Sequence, residues 1–489
     1  MEYRTTIRAL ALLICTGILI TACGNADDSA EIPTSENTLE NSADTGTETE
    51  ISDDLGEYDF DNREFCIVYS ETQLGTAWPY CTDEVNGDIL NDAVYQREIN
   101  VEERFNVNIT WFDTGGTMSE VSNAFRASVM AGDQSYQLAV NHMYAGFTAC
   151  IADGLLYDFN KLPIINLDKP WWNQSARENL EVDGVLLTMS GDLIYSYYDT
   201  IYFNKQIMDE YQIPYPYEKV YDGTWTWDYL AEITKDITRD LDGDNTLTAN
   251  DRFGFIIDEN LSTMTRLIHS NGMTIATMDE SGRPTLDNLM SDKLQSVVEK
   301  YYSFVWEDNR CYFASKTDEL GCVDMFAKGQ SMMMHTQTSK LPLLRDVEFE
   351  FGIVPLPKYD ENQDCYHTLA STQMLLLPSD MDDPEFIGVV LEALSFESYQ
   401  QVVPQLYEAV YQNKYLRDSE SEQMFDLIRG SLVYDSMWNY GNGGDFSYLI
   451  GKTVGEKNID IASFIAANIA KAQAELDKVY EDIENNYKN

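Results

Sequence analysis

The stretch "TRDLDGDNTLTANDRFGF", residues 238–255, sets oxygen-bearing side chains at a regular interval. Asp240, Asp242, Asp244, Thr246, Thr248 and Asp251 fall at positions 1, 3, 5, 7, 9 and 12 of a loop. A chain with that spacing can curl round a hard cation and offer it carboxylate and carbonyl oxygens, so the chemistry implied is calcium binding. Two positions depart from the usual pattern. Asn245 stands where such loops carry Gly, although Asn tolerates a left-handed backbone, and Asp251 is shorter than the usual bidentate Glu. The expected ligands are Asp240, Asp242, Asp244, Thr246 and Asp251.

The elements on either side say what such a loop would do. "WTWDYLAEITKDITRD" places Thr226 as an N-cap and Leu230, Ile233 and Ile237 on one helix face. "RFGFII" then reads as a strand, whereas a calcium sensor needs a second helix to move. The cation is therefore expected to be a structural clip between a helix exit and a sheet. The alternative is an Asp-rich turn that holds no ion. Trp227 opens the helix and is expected to pack; Trp225 lies in the preceding turn, and its role is left open.

Arg4 and Arg8 precede an apolar run from Ala9 to Ala22, short for a bilayer span but the length of a signal-peptide core. The junction "ITAC", ending at Cys23, resembles the lipobox of bacterial lipoproteins, which implies cleavage after residue 22 and acylation of Cys23. Stable anchoring takes more than one acyl chain. From Gly24 to Gly56 there are ten Asp or Glu and no Lys or Arg. Such a segment cannot bury enough apolar surface to fold, so 23–56 is expected to be a disordered acidic tether.

The remaining body, roughly 430 residues, exceeds a single hydrophobic core, and at least two lobes are expected. The chain carries a net charge of −51, which disfavours nucleic acid and other polyanions as partners. Cys66, Cys81, Cys150, Cys311, Cys322 and Cys365 remain after the signal segment and Cys23 are set aside. Local disulfides (Cys66 with Cys81, Cys311 with Cys322) and buried thiols are both open readings, and the spacing fits no zinc motif. Strand and helix patterns alternate along the body, as in "DILNDAVYQREINVEERFNVNITW" and "EVSNAFRASVMAGDQSYQLAVNH", so the class expected is α/β.

Four longer stretches carry a resemblance: "DGTWTWDYLAEITKDITRDLDGDNTLTANDRFGF", "FAKGQSMMMHT", "FEFGIVPLPKYDENQDCYHT" and "YEAVYQNKYLRDSESEQMFDLIRGSLVYD". With the lipobox and the tether, they make the chain similar to the extracellular solute-binding lipoproteins of ABC importers, particularly a carbohydrate-oriented branch common in Gram-positive bacteria. That resemblance implies a two-lobed periplasmic-binding-protein-like fold (type II) with a hinge and an interlobe cleft. It also implies a permease partner and a place on the extracytoplasmic face of the membrane of a Gram-positive cell. Lobe 1 is expected over 57–165 and 315–375, lobe 2 over 166–314 and 376–489, with crossings near 160–190 and 310–380.

In such a fold the ligand lies at loops that leave the carboxyl ends of strands. Those loops hold "SETQLGTAWPY", "HMYAG", "PWWN", "GDLIYSYYDT" and "MWNYGNGGDF", in which aromatic rings stand beside hydrogen-bonding side chains. Sugars need that pairing, because their C–H faces lie on π surfaces while their hydroxyls take directed hydrogen bonds. The candidate ligand contacts are Trp78, Tyr144, Trp171, Trp172, Asp192, Tyr195, Trp438, Tyr440 and Asp445. Two other readings stand beside a sugar or oligosaccharide binder. One is a binder of peptides or cationic small molecules, which the charge favours. The other is a secreted glycosidase using two of the many carboxylates. Against an enzyme, His142, His269, His335 and His367 are scattered without metal spacing, and no glycine-framed serine or phosphate-cradling loop is present in the sequence.

Overall fold

Residues 51–489 are described in a computed structural model, apart from 72–78, 144, 146, 195, 259–260, 315–320, 412–418, 441–444, 450 and 489. The expected signal segment and Cys23 lie outside the described residues. "REFCIVYS" forms strand β1 (Arg63–Tyr69), with Phe65, Ile67 and Val68 buried. The helix Ile89–Phe105 starts where the Asp88 carboxylate accepts the N–H groups of Leu90 and Asn91, and stops at Asn106, which is left-handed at φ 50°. Strand β2 (Val107–Asp113) follows. The helix Met118–Ala131 then opens with a reciprocal Thr117 and Glu120 capping box and ends at Gly132, φ 65°, before strand β3 (Leu138–His142). β1 lies parallel to both β2 and β3, as the alternation of helix and strand patterns predicts.

The later strands are β4 (Ser196–Tyr197), β5 (Asp199–Asn204), β6 (Phe253–Asp258), the small hairpin β7 (Thr277–Met278) and β8 (Pro284–Thr285), β9 (Cys311–Ala314), β10 (Ser331–Gln337), β11 (Phe351–Val354), β12 (Thr368–Leu369), β13 (Ser371–Leu376) and β14 (Leu432–Val433). Two five-stranded sheets result among the described residues, in the orders β2-β1-β3-β13-β4 and β11-β5-β10-β6-β9. Each sheet carries one strand running against its neighbours, β13 in the first and β5 in the second. These two strands are where the chain enters a sheet from the other one. The chain passes from β4 straight into β5, and returns after β11 into β13.

The expected lobe boundaries need correction. β10 and β11 fall within 315–375, yet both pair with β5 in the second sheet. Residues 166–197 and the helix Pro384–Glu397 belong with the first sheet. Trp171 packs edge-on against Phe396 with ring centroids 5.2 Å apart, and the helix Pro384–Glu397 packs on Ile89–Phe105. The first crossing therefore comes at 197–199, later than expected, and the second lies between Val354 and Ser371. The apolar patterns of both sheets are alike, so burial alone could not say which strand joins which.

The end of the acidic tether is also ordered differently. Asp53 is buried against Arg104, whose Nη1 lies 2.5 Å from Asp53 Oδ2, and Lys169 Nζ reaches Asp54 Oδ2 at 2.5 Å and Ser52 O at 2.7 Å. Residues 52–55 are thus held on the body by charge, which an unpaired acidic segment would lack. The six described cysteines form no disulfide with one another. Cys150, Cys311 and Cys322 are buried thiols, and Cys81 Sγ lies 3.2 Å from the Tyr69 hydroxyl. Trp227 packs as expected, with its indole N–H donating to Ser270 Oγ and its ring edge-on to Tyr301 at 4.8 Å. Trp225 is buried too, donating to Pro355 O at 2.8 Å. No described helix is long and apolar enough to cross a membrane.

Candidate ligand-binding site

The crossings place the site. β5 begins where β10 ends, since Asp199 pairs with Gln337, and β13 begins where β3 and β4 end, since Gln373 pairs with His142 and Ser371 with Tyr197. A single residue, Tyr198, separates β4 from β5. The carboxyl ends of the parallel strands of both sheets therefore converge on the crossing. Loops leaving strands at that edge are where α/β sheets bind ligands.

A buried polar cluster sits at this convergence. Arg266, on the helix Leu261–Ser270 after β6, donates from Nε to Asp199 Oδ2 at 2.9 Å and from Nη2 to Oδ1 at 3.3 Å. His335 on β10 lies with Nε2 3.4 Å from Asp199 Oδ1. Burial alone would push the Asp199 carboxyl up, but the Arg266 guanidinium and His335 outweigh it and hold it below the usual carboxylate range. His142, at the end of β3 in the first sheet, is pushed down to about 4, first by burial and then by the charge of Arg266. It is therefore an uncharged imidazole at neutral pH. The cluster draws on both sheets and pairs the Arg266 guanidinium with the Asp199 carboxylate, with the His335 imidazole beside them. Asp199 and His335 are fully buried and Arg266 nearly so, so the cluster braces the crossing from beneath the strand ends.

A second ion pair joins Asp192 to the C-terminal segment. Arg429 Nη2 meets Asp192 Oδ1 at 2.6 Å, and Nη1 donates to the Tyr407 hydroxyl at 3.3 Å. Burial pushes Asp192 up despite the opposing pull of Arg429. His269, one turn beyond Arg266, meets Asp435 Oδ2 through Nε2 at 2.9 Å. Asp435 also accepts the N–H groups of Ile275, Ala276 and Met437, so its carboxylate ties the helix Leu261–Ser270 to the C-terminal segment.

A family model described as bacterial extracellular solute-binding protein matches residues 100–385. The chain belongs to the bacterial extracellular solute-binding proteins. Comparison with curated proteins gives no match. Among solved structures, a sugar transporter of Rhizobium etli in an open conformation is similar at TM-score 0.57 and 14% identity, covering 86% of this chain and 99% of that one. UspC of M. tuberculosis is similar at TM-score 0.57 and 14% identity, covering 84% and 100%. A cyclo/maltodextrin-binding protein complexed with maltotetraose is similar at TM-score 0.55 and 15% identity, covering 89% and 100%. At these identities the likeness is one of fold, the two-lobed architecture of periplasmic binding proteins.

In this solute-binding protein the aromatic candidates take other positions than expected. Trp171 and Trp172 are 1% and 2% exposed, and Trp438 and Tyr440 are 2% and 1% exposed. Trp172 donates from Nε1 to Glu392 Oε2 at 3.0 Å, and the Tyr440 hydroxyl donates to Leu180 O at 2.6 Å. All four are core residues, and the polar tips of Trp172 and Tyr440 are spent on internal partners, where the expectation was a ligand surface. Asp192 is engaged by Arg429. Trp78, Tyr144 and Tyr195 lie outside the described residues; Asp445 opens the short helix Asp445–Tyr448, and its side chain is not among those described. The residues that do gather at the strand ends, His142, Asp199, Arg266 and His335, were absent from the expected set. Asp199 stands in the quoted "GDLIYSYYDT" and could have been found there; the two histidines were set aside for lacking metal spacing.

The Asp loop keeps its expected geometry in part. Carboxylate oxygens of Asp240, Asp242 and Asp244 lie within 4.8 Å of one another, all exposed, and Asn245 is left-handed at φ 63° as a loop position normally held by Gly requires. Asp244 N–H draws the Asp242 carboxyl down, yet desolvation and the charges of Asp244, Asp251 and Asp240 leave it raised. A cation would relieve that repulsion, so the three carboxylates fit one. Asp251 is not in the converging group. Asp251 is buried, and its two oxygens accept N–H from Leu241 at 2.8 Å and Thr248 at 2.7 Å, because a buried carboxylate must find donors inside. The loop precedes β6, and its ends are clamped by the pairing of Arg239 with Arg252. It therefore lies at the amino ends of the parallel strands, opposite the convergence, and cannot touch a ligand bound there.

Proposed function

We propose that this solute-binding protein captures a neutral sugar or oligosaccharide at the convergence of the two sheets and hands it to the permease of an ABC importer. The observation that carries this reading is the convergence of strand ends from both sheets at the crossing, braced from beneath by the buried Asp199 and Arg266 pair. A ligand touching both sides would favour the closed arrangement by its differential contacts. Similar folds holding maltotetraose and cycloalternan support the sugar class. The test is a thermal-shift screen of oligosaccharides against polyamines, basic peptides and amino acids, followed by calorimetry of the best hit at low and high salt. A neutral sugar has no charge to screen, so its affinity should hold as salt rises. Hits confined to cationic ligands, or a steep loss in salt, would refute the reading in favour of a binder of peptides or cations; release of product from an oligosaccharide would favour the glycosidase.

Two further parts of the reading rest on the chain outside the cleft. Cys23 is lipidated and holds the protein at the extracytoplasmic membrane face; Cys23→Ser should abolish partition into detergent phase. Asp240, Asp242 and Asp244 hold calcium as a structural clip. Chelation should then lower the melting temperature, and Asp242→Ala should remove that sensitivity. A wild-type protein indifferent to chelator would leave the loop an ordinary turn.

A further inference from the structure

The Asp192 and Arg429 pair joins elements that belong to different sheets. Asp192 stands on the side of the first sheet: its N–H donates to Trp171 O at 2.9 Å, and three residues earlier Met189 pairs with Leu375 of β13. Arg429 stands on the side of the second sheet, in the helix Ser419–Gly430, which packs on β11. That helix is tied down by Ser421 Oγ, 3.0 Å from the Tyr217 hydroxyl, and the Tyr217 ring lies edge-on to Phe203 of β5 at 5.3 Å. Tyr407, the other partner of Arg429, is back with the first sheet, since the helix Val403–Tyr411 packs on Ile89–Phe105. One guanidinium from the second lobe thus meets a carboxylate and a hydroxyl from the first.

The rings beside the pair place it at the hinge. Phe425, one turn before Arg429, lies edge-on to Tyr407 at 5.2 Å and to Tyr198 at 5.6 Å, and Tyr198 is the single residue between β4 and β5. Rotation of one lobe about the crossing therefore pulls on the contact. Two lobes of one chain move relative to one another unless the surface between them is large and apolar, so a charged contact at this point bears on how freely they do. Ions can reach it, because the Asp192 and Arg429 side chains are 13% and 30% exposed. Asp192 Oδ2 has no hydrogen-bond partner among the described residues, so the carboxylate depends on Arg429 for compensation. The Asp435 and His269 pair, by contrast, is buried and shielded from salt.

We propose that Asp192, Arg429 and Tyr407 form a salt-sensitive clasp between the two lobes. The clasp restrains rotation about the crossing and gives way when the lobes part. Screening by salt weakens the Asp192 and Arg429 attraction and loosens the lobes, while the buried Asp435 and His269 pair stays closed as the pivot. The clasp acts on the balance between lobe arrangements and is independent of which solute the cleft holds.

The experiment measures distances between nitroxide labels in the full chain in mild detergent, with no solute added. Labels at Met130→Cys on the first lobe and Leu343→Cys on the second, both exposed positions, report between the lobes; labels at Met130→Cys and Val85→Cys report within the first lobe. Both sets carry Cys365→Ser, which removes the one described thiol that is exposed. The distribution of distances between the lobes should broaden in Asp192→Asn and in Arg429→Met, while the distribution within the first lobe stays as in the wild type. Raising the salt should broaden the wild-type distribution towards that of the variants and change the variants little. Distributions between the lobes that are alike in the wild type and both variants would overturn the proposal, as would a wild type indifferent to salt. Broadening within the first lobe as well would also overturn it, because the pair would then be a brace for the fold of one lobe.

Discussion

Glu392 lies within the helix Pro384–Glu397 and is fully buried. Its Oε2 accepts the Trp172 indole N–H at 3.0 Å, while Oε1 finds no hydrogen-bond partner among the described residues. Burial pushes the carboxyl from 4.5 up to about 7, against the pull of the Trp172 donor. Between those two values the folded chain keeps a proton that the unfolded chain has released. Stability contributed by the neutral carboxyl is therefore fully present below 4.5 and is lost as pH rises towards about 7. At about 1.36 kcal/mol per pH unit, the gap from 4.5 to about 7 amounts to about 3 kcal/mol. Glu392→Gln keeps the size of the side chain and an acceptor oxygen for Trp172 but has no charge to bury. Urea unfolding followed by tryptophan fluorescence, at pH 5 and at pH 8, isolates the effect, because the other titrating groups are common to both proteins. The variant should exceed the wild type by about 1 kcal/mol near pH 5 and by about 3 kcal/mol at pH 8. An equal difference between the two proteins at both pH values would refute the claim that this carboxyl is held neutral by burial.

Trp172→Ala should cost about 3 to 5 kcal/mol of stability, as truncation of a large core side chain does, and urea unfolding would show it; a folding-neutral substitution would return Trp172 to the set of ligand contacts. Arg266→Met leaves the buried Asp199 carboxylate uncompensated and should destabilise by about 3 to 5 kcal/mol. Adding Asp199→Asn should recover part of that loss in a double-mutant cycle, and strict additivity of the two would mean that they do not interact. Gly254→Ala puts a methyl group onto the Thr234 carbonyl oxygen, where β6 passes the helix Trp227–Thr234. It should cost about 1 to 3 kcal/mol by denaturation, and a neutral result would mean that the two elements can part at little expense.

Local order was legible in the sequence because it depends on neighbours in the chain. The Thr226 N-cap, the strand character of "RFGFII" and the helix–strand alternation from Ile89 to His142 all follow from side chains acting within a turn or two of backbone. The longer quoted stretches were enough to name the family, and the family named the two-lobed fold. Position relative to the cleft was another matter. "PWWN" and "MWNYGNGGDF" carry the residue types of a sugar site, but Trp171, Trp172, Trp438 and Tyr440 are equally good core residues, and only packing against Phe396, Glu392 and Leu180 decides between the two roles. Asp199, Arg266 and His335 are separated by more than sixty residues at each step along the chain. They meet because β5 runs against β10 and the helix after β6 returns across their ends. Apolar periodicity tells each strand which face to bury, and it is blind to which sheet the strand will join. That choice is made by long-range pairing and by the burial of charges that must find one another, and so the cleft belongs to the tertiary structure.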